Sequence, residues 1–154
     1  MIDGSERGFT LLEMVCVLAL IAMMAAVLLP FMPRNTSRSR LQAYALQIAT
    51  LLKADRNAAI RRGVDVATLV DAGARSIRSG ATADMIRVPD DVRFDALLPQ
   101  TCNRRAALST ISFFASGMSC GGAIALTRLD AGYEIRVNWL TGRIEIAPRS
   151  SATN

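Results

Sequence analysis

Ser116-Gly117 and Ser119-Cys120-Gly121-Gly122 have the composition of a nucleophile-bearing loop, but the chain contains no histidine. The commonest general base is therefore missing, a serine triad is excluded, and the glycines read as a loop. Gly121-Gly122 also lacks the lysine and the helix start that a phosphate-binding loop requires. Asp90-Asp91 offers two adjacent carboxylates for acid–base work, yet the pair follows Pro89 and reads as a solvated turn. Zinc loses its commonest ligand with histidine, and two thiols in the polar part of the chain are too few to replace it. No catalytic group, cofactor or metal is expected, and the chain reads as a non-enzyme.

The residue with the strongest chemical demand is Glu13. It stands near the start of an apolar run that continues to about Met32 and includes Cys16. A helix from Phe9 to Leu29 would be about 32 Å long, enough for a hydrocarbon core of about 30 Å. An ionised acid at mid-membrane costs roughly 2.5–3.5 kcal/mol on insertion scales, and less near an interface, so it calls for a partner. The segment before the run is polar and short, with Asp3, Glu6 and Arg7. No small-residue cleavage site comes after the run, as an ordinary secretory signal would require.

The segment Ser5-Glu6-Arg7-Gly8-Phe9-Thr10-Leu11-Leu12-Glu13 closely resembles the N-terminus of type IV pilin-like proteins. The resemblance implies that a prepilin peptidase cuts the Gly8–Phe9 bond on the cytoplasmic side and methylates the freed amine. It also implies that Glu13 neutralises the N-terminal amine of a neighbouring subunit as protomers enter a filament. Cleavage before the apolar run leaves the anchor on the mature protein. Loss of Asp3, Glu6 and Arg7 makes the mature chain one unit more positive than the +5 of the full sequence.

Nearly all the basic residues are arginines, with Lys53 the only lysine, which by itself says little about nucleic acid. Arg34, Arg38 and Arg40 stand close behind the apolar run, and the positive-inside rule would place the polar part of the chain in the cytoplasm. The leader motif demands the reverse and is the more specific signal, which leaves these arginines to meet lipid head groups on the outer face. Cys102 and Cys120 both fall in the polar part, where a periplasmic location would let them form a disulfide.

The elements that must carry these residues are set by spacing. Pro30 and Pro33 interrupt the first helix, and Ser37 or Ser39 can cap a renewed one. Leu41, Tyr44, Ala45, Ile48, Leu51, Leu52, Ala58 and Ala59 recur at helical spacing, with Lys53, Asp55, Arg56, Arg61 and Arg62 as polar positions and Gly63 as the stop. Strands are expected from Val64 to Asp71, over Ser76–Arg78, Met85–Val88, Val92–Leu98, Ile111–Ala115, Ala123–Leu129, Tyr133–Leu140 and Arg143–Ala147. Turns fall at Asp130-Ala131-Gly132 and Thr141-Gly142. Ile135, Val137 and Trp139 should share one buried face, with Glu134, Arg136 and Asn138 on the other. Arg104, Arg105, Arg128, Arg136, Arg143 and Arg149 could form a basic stripe, but Glu134 and Glu145 sit among them and stacking aromatics are few.

The run Ile111-Ser112-Phe113-Phe114-Ala115-Ser116-Gly117, then Ala123-Ile124-Ala125-Leu126 and Val137-Asn138-Trp139-Leu140-Thr141-Gly142-Arg143-Ile144, resembles the GspH/FimT-type pilin domain. The implied fold is α+β, a long N-terminal transmembrane and amphipathic helix packed on an antiparallel β-sandwich. The corresponding division is a leader over 1–8, a transmembrane helix over 9–32 and its amphipathic continuation over 33–63. A periplasmic β-rich domain over 64–149 and a tail over 150–154 complete it. The resemblance implies a minor pseudopilin near the tip of a type II secretion pseudopilus, single-pass in the bacterial inner membrane, with its C-terminal domain in the periplasm. Its implied partners are other minor pseudopilins, the major pseudopilin, the prepilin peptidase, the inner-membrane assembly platform, the secretin and exoprotein cargo. Nucleic acid is not expected among them. A minor pilin of a type IV pilus, touching DNA during uptake, is the second reading and shares the fold.

Overall fold

A computed structural model describes residues 10–28, 36–107 and 109–150. The chain divides into two compact units, Met1–Asn35 and Thr36–Asn154. In the first, Leu11–Leu28 forms helix α1, whose Thr10 accepts the Glu13 amide on both its carbonyl (3.1 Å) and its hydroxyl (3.3 Å). Thr10 and Glu13 thus have the spacing of a capping box, which makes Glu13 part of the helix start. The 18 residues of α1 span about 27 Å. Among the described residues no helix is long and apolar enough to cross a membrane. Phe9, Leu29 to Met32, and the prolines at 30 and 33 lie outside the described residues, as do the leader and the tail over 151–154.

The second unit opens with helix α2, Arg38–Arg62. Ser37 caps it by accepting the Arg40 amide at 3.3 Å, and Gly63 closes it in the left-handed conformation, φ 65°. The amides of Gly63 and Val64 both return to the Ala59 carbonyl, and Arg61 and Arg62 sit favourably at the negative end of the helix dipole. Leu41, Ala45, Ile48, Ala49, Leu51, Leu52, Ala58 and Ala59 form its buried stripe.

Among the described residues ten strands follow: β1 Val66–Asp71, β2 Ser76–Arg78, β3 Met85–Arg87, β4 Arg93–Leu97, β5 Thr101–Cys102, β6 Arg105–Ala106, β7 Thr110–Phe113, β8 Gly122–Arg128, β9 Ala131–Val137 and β10 Ile144–Ser150. They build two four-stranded antiparallel sheets, ordered β3-β2-β1-β7 and β10-β9-β8-β4, and the small hairpin β5-β6. Helix α2 packs against strands of both large sheets, and all three share one core. Period-2 alternation supplies the sheet contribution: Val66, Thr68 and Val70 point inward from β1, and Ile135 and Val137 from β9. The fold is α+β, a helix packed on antiparallel sheets, as expected.

Several expectations need correction. Trp139 does not share the buried face of Ile135 and Val137; β9 stops at Val137 and Trp139 is 64 % exposed in the loop beyond it. The turn between β8 and β9 is not at Asp130-Ala131-Gly132 but at Leu129-Asp130, because Arg128 pairs with Ala131. Gly132 lies inside β9, where a Cβ would come within 2.8 Å of the Arg149 carbonyl; close strand approach, not a turn, requires that glycine. Asp55 is not a solvated polar position but is fully buried. Asp91 is only partly solvated, since its carboxylate holds the start of α2 through Thr36.

Candidate functional site

Three side chains tie α2 to the sheets and set the shape of the second unit. At its centre, Asp55 accepts hydrogen bonds from Thr68 Oγ1 on β1 at 2.6 Å, from Ser79 Oγ, and from the amides of Gly80 (3.0 Å) and Ala81 (3.3 Å). Ser79 Oγ in turn accepts from the Ala81 and Thr82 amides. The segment between β2 and β3 is thereby folded over β1, and Gly80 lies so close that a Cβ would stand 2.2 Å from the Ala67 carbonyl oxygen. Four donors surround the carboxylate, so it is a satisfied structural anchor with no open position for substrate. Its place was visible in the helix phase: position 55 falls between Leu51/Leu52 and Ala58/Ala59 on the buried stripe, and only its polar type argued otherwise.

Adjacent to it in sequence, Arg56 donates through Nε to the Gly117 carbonyl (2.9 Å) and through a terminal nitrogen to the Thr141 carbonyl (3.0 Å). It braces the loop after β7 against the β9–β10 hairpin. At the N-terminal end of α2, Asp91 accepts from the Thr36 amide (2.6 Å), the Thr36 hydroxyl (2.8 Å) and Arg128 Nε (2.9 Å). The Thr36 amide, together with the Thr36 hydroxyl and Arg128, holds the Asp91 carboxyl below its ordinary pKa against the opposing effect of desolvation.

The serine-rich loop is structural. Ser119 is buried, donates to the Ser112 carbonyl at 2.8 Å and accepts the Gly121 amide at 3.1 Å. Its own amide reaches the Trp139 carbonyl, which links the edge of one sheet to the hairpin of the other. Cys102 and Cys120 are joined as a disulfide, with Cα atoms 5.7 Å apart, tying the β5-β6 hairpin to this loop. That hairpin turns through Asn103 and Arg104, both at positive φ, and had no signal in the sequence beyond the cysteine beside it.

Three of the six arginines weighed for a basic stripe are paired with carboxylates. Arg136 pairs with Glu134 through two nitrogens (2.7 and 3.1 Å), Arg143 with Glu145 (3.0 Å) and Arg128 with Asp91. The Arg136 contact also lowers the Glu134 carboxyl pKa. Among the described residues, no group of His, Cys, Asp and Glu could hold a metal ion.

Glu13 stands apart from these anchors. It lies on α1, where every described side chain from Leu11 to Ala26 is exposed within this chain, and Cys16 is a free thiol. Apolar surface of that extent marks a segment made for lipid or for other helices. Gly8 and Phe9 lie outside the described residues.

An antiparallel pilin-like domain behind an apolar, acid-bearing helix defines the class, and comparison with known proteins narrows it. Residues 4–29 match the prokaryotic N-terminal methylation motif, and residues 45–142 match the type II transport protein GspH family. Type II secretion system protein H of Xanthomonas campestris pv. campestris is 32% identical over 143 residues, covering 92% of this chain and 83% of that protein. The chain belongs to the GspH family. Among solved structures, the minor pseudopilin EpsH from the type 2 secretion system of Vibrio cholerae aligns with a TM-score of 0.58 at 12% identity, over 74% of this chain and 98% of that one. The type IV minor pilin FimU of Pseudomonas aeruginosa aligns at 0.57 and 15%, over 77% and 97%. At such identities these two likenesses speak to fold alone. The methylation motif and the family together make this a membrane-anchored, pilin-like protein.

Proposed function

We propose that this chain is a minor pseudopilin, a structural subunit of a type II secretion pseudopilus that helps export folded proteins across the outer membrane. The observation that carries the proposal is the joining of two matches in one chain: a methylation motif around Gly8, Phe9 and Glu13, and a GspH domain behind it. The type IV pilus reading shares the fold with FimU, but the GspH family and the protein H relative both lie with secretion.

In this reading a prepilin peptidase cuts between Gly8 and Phe9 and methylates the new amine. The mature chain then crosses the inner membrane once, with its β-rich domain in the periplasm. Glu13 pairs with the N-terminal amine of a neighbouring subunit: a carboxylate in hydrocarbon is tolerable when a cation compensates it, and the freed amine of Phe9 is such a cation. The subunit sits near the tip with other minor pseudopilins above the major pseudopilin, raised by the inner-membrane platform toward the secretin and its cargo. A structural role without catalysis agrees with the satisfied bonding of Asp55 and Ser119. Complementation of a host lacking this chain tests the proposal. Wild type should restore secretion, whereas Glu13→Ala should still insert in the membrane yet leave exoproteins in the periplasm; normal secretion by Glu13→Ala would remove Glu13 from its assigned role.

A further inference from the structure

The turn between β8 and β9 places Leu129 where glycine or asparagine would be least strained. Its φ is 52°, and its side chain is 80 % exposed. Neither the backbone nor water favours a leucine there. Beside it is the start of α2: Thr36, Ser37 and Arg38 share with Arg128 and Leu129 a hollow of about 210 Å³. Arg38 and Arg40 are exposed on the first turn of α2, which contains no acidic residue, and the positive pole of the helix dipole adds to them. Two carboxylates face the same end: Asp91 is engaged by Thr36 and Arg128, and Asp130 adjoins Leu129.

The chain itself limits where this end can go. Only residues 29–37 separate Leu28, the last residue of α1, from Arg38, the first of α2. Even fully extended, the ten steps from Leu28 to Arg38 reach about 33–36 Å. With α1 in a bilayer, the chain tethers the start of α2, and the Leu129 turn beside it, within that reach of the end of α1.

We propose that this end of the domain is a lipid-docking foot for anionic phospholipid. Leu129 enters the interfacial layer while Arg38 and Arg40 meet lipid phosphates, the combination of apolar insertion and basic attraction that retains proteins at membrane surfaces. The inference rests on the membrane anchoring in the proposed function. It assigns Leu129 a use that no contact within the domain provides, and it would hold the subunit in one orientation on the bilayer before assembly.

Full-length protein reconstituted in vesicles of phosphatidylcholine and phosphatidylglycerol tests it. Trp139→Phe removes the only tryptophan, and either Leu129→Trp or Leu97→Trp then supplies a reporter. Leu97 is the control because it is 78 % exposed and, pairing with Ala123, lies at the other end of β8 from Leu129. Brominated lipid should quench the Leu129→Trp reporter by about two-fold or more and leave the Leu97→Trp reporter nearly unchanged. Arg38→Glu with Arg40→Glu, or omission of phosphatidylglycerol, should weaken that quenching. Equal quenching at the two positions, or none with Leu129→Trp in a reconstituted chain, overturns the foot and leaves the anchor standing. A chain that does not associate with the vesicles overturns both. Should Trp139→Phe disturb folding, hydrogen exchange of the unmodified chain gives a second reading. Exchange over 128–131 should be slower with phosphatidylglycerol than without it, and identical exchange overturns the proposal.

Discussion

Thr68 Oγ1 donates to Asp55 Oδ2 at 2.6 Å in the centre of the core, joining the long helix to the strand it crosses. Both residues are fully buried, and the Asp55 carboxylate also gathers the segment after β2. One acidic side chain therefore joins the helix to β1 and to the segment that leads into β3.

Removing that carboxylate should be severe. Asp55→Ala takes the acceptor from the buried Thr68 and Ser79 hydroxyls and releases the Gly80 amide, which should cost about 3–5 kcal/mol of stability. Thr68→Val removes one donor and keeps the shape, and should cost about 1–2 kcal/mol. Urea unfolding of the full-length protein in detergent measures both; equal, small losses would deny Asp55 its anchoring role.

The disulfide should matter for a related reason. Cys102 and Cys120 are 18 residues apart in sequence. A cross-link of that span is worth about 3 kcal/mol in the chain-entropy model. Cys102→Ser, or reduction of the wild type, should lower the unfolding midpoint accordingly, and reduction should have no further effect on the variant.

Asp91 gives the second unit an acid-sensitive point. Its carboxyl is held below the ordinary value, first by the Thr36 amide and also by Arg128, so the folded state favours the charged form. The resulting stabilisation is present above the ordinary aspartate pKa of 3.8 and is lost as pH falls through the lower folded value. Asp91→Asn should therefore be less stable than wild type at neutral pH, with the gap narrowing below about pH 4. A gap that stays constant through that range would contradict the assignment.

Much of this architecture can be read in the sequence, because it rests on periodicity and turn chemistry. The α2 stripe from Leu41 to Ala59, its Ser37 and Gly63 ends, and most of the strands come from those local signals. What escapes are features decided by tertiary partners. Asp55 has the phase of a core residue, but its donors lie 13 or more residues away and carry no local mark. Trp139 continues the alternation of β9 while the chain has already turned, since the Asn138 side chain accepts the amides of Leu140 and Thr141. Gly132 resembles a turn residue and instead serves a close strand crossing. The N-terminal motif is legible for the opposite reason: residues 4–29 match as a linear pattern, and the chemistry proposed for Gly8, Phe9 and Glu13 would be read from that pattern by a peptidase and a neighbouring subunit.

The proposed function stands or falls on whether Glu13 finds its partner in an amine released at Phe9. Intact-mass and N-terminal peptide analysis of the protein purified from membranes of its host decides whether that amine exists. The chain should begin at Phe9, carry one N-methyl group and retain the whole apolar run. A mature chain beginning at Met1, or one beginning beyond that run, would refute the pairing.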